Sequence, residues 1–298
     1  MVYNTKQYTI GGIRFLVNFL SPFLCLEKFG GSTKFENIPL QKGQDWVINF
    51  ATYENIDSSK WQIIFIGSDQ YADDLPYKWS IIKQNNLTGI KFEYENYPNL
   101  KGGVALIDEE NKTISTSLEI HEQDRVQIDP FLHPLGIHIL QYIAHLNKGF
   151  VIHASTVSYN NKGYLFSAIS GTGKTTMAGL WKKCGAQVVN DDRLLILPNK
   201  GEYFAYNTPM PHYQDLPKKV KLHKAFLINQ SKTNYIKPLS STKGILGLLG
   251  NCMQFQYDND QVQERLSALH NIAETCGVYE CGFKPDTDIV ELIRQQLG

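Results

Sequence analysis

The sequence has no charge excess of either sign: 29 lysines and arginines face 29 aspartates and glutamates in 298 residues. Without a net field it has no long-range hold on a polyanion or an anionic bilayer, so nucleic-acid and membrane-surface partners are not expected. Cysteine is scarce. Cys25, Cys184, Cys252, Cys276 and Cys281 are odd in number and contain no CxxC pair, which argues against a disulfide framework and for free thiols in a reducing, cytoplasmic setting. Long hydrophobic runs are missing too. The stretch from Ile13 to Leu26 is interrupted by Arg14, Asn18 and Pro22 and is followed by no small-residue cleavage site, so it reads as a buried pair of strands and not as a targeting segment. There is no internal repeat, low-complexity tract or charge block. The spacing of His121, His133, His138, His145, His212, His223 and His270 gives no metal-ligand cluster.

What is present is a core-forming composition, 42% hydrophobic, arranged in two regimes. Up to about Ile128, short β-rich runs (WVINFATY, WQIIFIG, GIKFEYE, GVALID) alternate with Asn, Gly, Asp and Pro clusters. After Asp129-Pro130 the period changes, with Leu132, Leu135, Ile139, Ile143 and Leu146 lining one helical face and Gly149 as its stop. The expected fold class is α/β: a β-rich N-terminal domain over 1–129, then a domain over 130–298 with a mixed sheet flanked by helices.

In the second regime FVIHASTVSY and GYLFSAI read as strands joined by a hairpin turn at Asn160-Asn161-Lys162-Gly163. The second strand runs into AISGTGKT, Ala168 to Thr175, and then a helix to about Cys184. A phosphate-binding loop needs glycine where amides turn toward phosphates, lysine at the β and γ charges, and an adjacent hydroxyl for Mg²⁺. Gly171, Gly173, Lys174 and Thr175 fill those places, and Ser170, Thr172 and Thr176 complete the candidate contacts for ATP. Strand AQVVN then ends at Asp191-Asp192. Parallel pairing of that strand with the loop's own strand would bring both carboxylates beside the phosphates, one to help hold Mg²⁺ and its neighbour to take a proton from an attacking hydroxyl. The plainer alternative is a solvated Asp-Asp-Arg turn. His153, on the strand before the loop strand, is either a packed core residue or a hydrogen-bond partner of the acids or the transferring phosphoryl group.

VIHAS, AISGTGKTT and VNDDR together resemble the HPr kinase/phosphorylase catalytic domain and its relatives, which share a nucleotide site with phosphoenolpyruvate carboxykinases. The resemblance covers about Pro130 to Leu197. It implies phosphorylation of a serine hydroxyl, with Lys174 and the loop amides positioning ATP, Thr175 on Mg²⁺, Asp191 as base, Asp192 supporting the metal or phosphate network, and His153 steadying the arrangement. It also implies a homo-oligomer. TPMPHYQDLPKKVKLHKAF carries no counterpart of the glycine-bearing LEIRG-like segment of bifunctional HPr kinases, and the N-terminal half resembles the β-rich leader of divergent relatives found beside peptide-modification genes. The expected acceptor is therefore a protein, a peptide or a small hydroxyl compound. A non-catalytic ATP-binding module that presents the N-terminal domain to a partner is the alternative. Lys218, Lys219, Lys221, Lys224, Lys243 and Arg265 read as ordinary surface cations.

Overall fold

In the computed structural model the described residues are all but 28–29, 54–56, 58, 68–76, 95–99, 121–124, 133–134, 211–215, 217 and 254–258; His121, His133 and His212 thus lie outside them. The chain resolves into two compact units, Met1–Leu140 with Pro209–Leu216, and Gln141–Thr208 with Pro217–Gly298. Among the described residues no helix is long and apolar enough to cross a membrane.

The first unit runs through β1 (Asn4–Ile10), β2 (Ile13–Phe19), β3 (Leu24–Leu26), a 3-10 turn (Gly31–Phe35), β4 (Trp46–Tyr53), β5 (Gln62–Ile66), β6 (Tyr77–Gln84), β7 (Leu87–Tyr94), β8 (Leu100–Asp108), β9 (Thr113–Ile120) and β10 (Val126–Ile128). Eight strands make one sheet in the order β1-β2-β4-β9-β8-β7-β6-β5, and β3 pairs with β10. Period-two alternation builds its core: Phe15, Val17 and Phe19 of β2 and Trp46, Ile48 and Phe50 of β4 are buried. The apolar run from Ile13 supplies β2 and β3, but the two pair with different partners and not with each other.

Helix α1 (Leu135–Leu146) follows, and the division between units falls within it. Its end is not made by Gly149 adopting a left-handed turn. Lys148 takes that conformation at φ 57°, and Gly149 is needed for a different reason: a Cβ there would clash with the Ile196 carbonyl oxygen.

The second unit continues with β11 (Phe150–Tyr159), β12 (Lys162–Ser167), α2 (Lys174–Lys183), β13 (Gln187–Asn190), β14 (Arg193–Asn199), β15 (Glu202–Asn207), β16 (Lys219–Gln230), β17 (Tyr235–Pro238), α3 (Ser241–Leu249), β18 (Cys252–Met253), α4 (Asn259–Cys276), β19 (Val278–Phe283) and α5 (Asp288–Leu297). The β11–β12 hairpin turns on Asn160 and Asn161, both left-handed at φ 50° and 61°, as a two-residue turn of the primed type requires. Alternation along β12 divides the core in two. Leu165 faces Leu248 of α3 and Leu269 and Ile272 of α4, while Tyr164 and Phe166 face Trp181 of α2 and Ile289 and Ile293 of α5. The sheet is therefore mixed and flanked by helices: β12 runs antiparallel to β11 and parallel to β16, which is parallel to β19. All five cysteines are free thiols.

Candidate functional site

Strand β11 sets the site's position because its two edges change partners near the middle. Along one edge, Phe150–His153 pairs with β14 and Thr156–Ser158 with β13, so the Asp191-Asp192 link between those strands falls opposite Ala154. The Ala154 amide donates to the Asp192 carbonyl at 3.1 Å. Along the other edge Ala154 pairs with Ser167, the last residue of β12 before the glycine-rich loop. The acidic pair and the loop thus flank one residue of one strand. This corrects the expected route: β13 does not pair with β12, and the two run in the same direction with β11 between them. Two antiparallel steps restore the direction, so the acidic pair and the glycine-rich loop follow their strands at the same end of β11.

The loop has the conformation its glycines predict. Gly171 and Gly173 lie at φ 78° and 112°, and Gly173 is the N-cap of α2, where it has no side chain to cap the helix's first amides. Lys174 is buried and its Nζ donates to the carbonyls of Ala168 at 2.9 Å and Ile169 at 3.2 Å. Burial holds its pKa below the ordinary lysine value, partly offset by the charge of Asp192. Ser170, Gly171, Thr175 and Thr176 are exposed, and Thr172 and Gly173 are half-buried.

His153 is not a packed core residue: a third of its side chain is exposed, and Nδ1 lies 2.9 Å from Oδ1 of Asp192. Its backbone N–H donates to the Asn251 carbonyl at 2.8 Å, which fixes the strand there. The other oxygen of Asp192 faces Nε of Arg193 at 3.6 Å. Burial opposes ionisation of Asp192, but the His153 hydrogen bond and the charges of Arg193, His153 and Lys174 outweigh it and hold the carboxyl below its usual range. Asp191 is half-buried in the same bend. Asp-Asp-Arg is a turn, closed by the Asp192 amide donating to Oδ1 of Asn190 at 3.0 Å, and it carries the Asp192 carboxylate to His153.

Several participants were not anticipated. The Ser155 hydroxyl donates to the carbonyl of Lys174 at 3.1 Å, tying β11 to the start of α2. Its position two residues beyond His153, on the same face of a strand, was the available signal. Asn190 caps the bend through a local bond to the Asp192 amide two residues on, whereas Asn251 and Thr208, whose hydroxyl donates to the Arg193 carbonyl at 3.0 Å, depend on long-range register and had no signal. Of the cations read as surface residues, Arg265 is instead buried. Lys218 is tied by Nζ to the Val188 carbonyl at 2.7 Å.

The model of the family described as SynChlorMet cassette protein ScmC matches residues 123–276, just over half of the 298 residues. The chain belongs to this family. The matched span contains His153, the whole glycine-rich loop and Asp191-Asp192, and stops at the end of α4. Among solved structures the chain is similar to the Hpr(Ser) kinase/phosphatase from Coxiella burnetii, at 10% identity over 49% of this chain and 97% of that one, with a TM-score of 0.28. Comparison with curated proteins gives no match.

The His153–Asp192 contact leads to a pH prediction. A carboxyl with a depressed folded-state pKa lends stability that is present above its unfolded pKa and lost as pH falls through the folded value. In His153→Ala the hydrogen bond is gone and burial remains, so the Asp192 pKa is expected to rise and the acid-unfolding midpoint to move to higher pH. Carboxyl-carbon NMR titration with circular dichroism between about pH 2 and 5 checks this. An unchanged Asp192 titration would show that the contact does not govern the carboxyl.

Proposed function

We propose that this ScmC-family chain is a Mg-ATP-dependent phosphotransferase acting on a hydroxyl, with serine of a protein or peptide as the leading acceptor and a small hydroxyl compound as the other. The observation that carries the reading is the His153–Asp192 pair at 2.9 Å, electrostatically coupled to the buried Lys174 of the glycine-rich loop. A bare phosphate-binding turn has no use for an oriented acid–imidazole pair beside its lysine.

The residues present suit the ligands. Lys174 is a charge held below its ordinary pKa by burial, and triphosphate oxygens beside it would favour its protonated form. Ser170 to Gly173 supply backbone donors around it, and the exposed Thr175 and Thr176 add hydroxyls at the first turn of α2. Thr175 and Asp192 are hard oxygen donors of the kind Mg²⁺ takes alongside phosphates. Bound there, Mg²⁺ would neutralise triphosphate charge.

Asp192 has one oxygen committed to His153 and the other facing Arg193, and its carboxyl sits below its usual range, which suits a fixed charge better than a proton acceptor. Asp191, the next residue in the bend, is left as the general base for the acceptor hydroxyl. His153, held through Nδ1, presents Nε2 as its free ring nitrogen.

The test is incubation of the purified chain with Mg²⁺ and γ-labelled ATP against serine-containing peptides and small hydroxyl compounds. Label on an acceptor supports the phosphotransferase. Tight ATP binding with no label on any acceptor supports the non-catalytic module instead, with the N-terminal unit as its partner-facing part.

A further inference from the structure

Arg193 holds an unusual position for an arginine that only closes a turn. In the antiparallel β11–β14 pair it stands directly opposite His153, so the two side chains leave the sheet on the same face. Ile152, Ala154 and Leu194 occupy the other face, in the core built with α3 and α4. Ser155 shares the His153 face and bonds the first residue of α2 at 3.1 Å, which identifies that face as the side of the glycine-rich loop. The side chain is only 18% exposed. Its backbone is pinned by Thr208, so the guanidinium is delivered from a fixed point.

The guanidinium is also under-used. Its contact with Asp192, 3.6 Å from Nε, is beyond hydrogen-bond length, and among the described residues its five N–H groups make no hydrogen bond. Arg294 provides the contrast within the same unit: it lies over the Tyr159 ring at 3.9 Å and donates to the Cys184 carbonyl and to Glu291. A mostly buried guanidinium with its fork unspent, next to a carboxylate that is engaged by histidine and also feels the charge of buried Lys174, has the geometry for planar, bidentate recognition of an anion.

We propose that Arg193 contacts the terminal phosphoryl group of the bound nucleotide and sets the preference for a triphosphate over a diphosphate. This rests on the nucleotide site proposed above. The loop amides serve the phosphates common to both nucleotides, Lys174 spans the β and γ charges, and Arg193 adds the contact confined to the phosphoryl group that differs.

Calorimetric binding of Mg²⁺ with adenylyl imidodiphosphate, and separately with ADP, tests it in the full chain, Arg193→Gln and Arg193→Lys. A charge-assisted hydrogen bond makes about a 10- to 150-fold difference in Kd. Arg193→Gln is expected to lose that factor for the triphosphate analogue while its ADP affinity stays near wild type, and Arg193→Lys to keep the charge and recover part of it. An arginine that merely steadied Asp192 would leave the triphosphate-to-diphosphate ratio unchanged, and that result in folded Arg193→Gln overturns the proposal. Wild type that binds neither nucleotide overturns the nucleotide site itself, and Arg193's role with it.

Discussion

Asp191→Asn is expected to lower phosphoryl transfer by about 10²- to 10⁴-fold, the contribution of a positioned general base, with the Kd for Mg-ATP close to wild type. The two effects separate because the amide is nearly the same size as the carboxylate but takes no proton, and in this scheme the lost interaction forms only as the acceptor hydroxyl attacks. Single-turnover transfer beside equilibrium ATP binding measures both. The geometry names the competitor. His153, oriented by Asp192 at 2.9 Å, is the kind of base–orienter pair that activates hydroxyls in other enzymes. If Asp191→Asn keeps near-wild-type transfer and His153→Ala loses it, the base is the imidazole. Loss in Asp191→Asn with intact binding assigns the base to Asp191 and leaves His153 as a positioning residue.

The parts of this site that could be read from the chain are those whose physics is local. The Asn160-Asn161 turn, the glycines at positive φ and the helix after Lys174 depend on residues within a few positions of one another, and each forms where its residues imply. The periodic segments that become β4, α1 and α2 were equally readable. The pairing that assembles the site was not, because it depends on which strand lies next to which. A strand ending in two aspartates after a phosphate loop invites direct pairing with the loop strand. The chain instead inserts β11 between them and gives β13 and β14 successive stretches of its far edge. Nothing in the composition of QVVN and RLLIL distinguishes those arrangements, since both bury the same apolar face. Short elements were lost for a related reason. The strands β15, β17 and β18 draw their regularity from neighbours already in place and not from periodicity of their own. Arg265 shows the limit of residue-type priors. A lone arginine in a polar helix reads as solvent-facing, yet register on α4 puts it inside, where burial pulls its pKa down to about 10.

Lys174→Met carries the other large effect, and it separates binding from folding. Loss of one charge-assisted contact to the phosphates is expected to raise the Kd for Mg-ATP about 10- to 150-fold, with transfer falling at least as far. The ligand-free fold faces two opposing changes. Methionine removes a cation whose desolvation already lowers its pKa, and it also removes the hydrogen bonds to the Ala168 and Ile169 carbonyls. The sign of the first term follows from linkage. A lysine with a depressed folded-state pKa makes the fold less stable while it is charged, and that penalty fades as pH rises through the folded value. The melting temperature without ligand is therefore expected to move little at neutral pH, and any gain of the variant over wild type to shrink toward alkaline pH. The informative quantity is the increment that Mg-ATP adds to the melting temperature, expected to be smaller in Lys174→Met than in wild type at the same ligand concentration. If the increment is undiminished by the substitution, the triphosphate is bound without this lysine and the glycine-rich loop is not its phosphate site. If it shrinks while the ligand-free protein melts as before, Lys174 acts on the nucleotide and not on the fold.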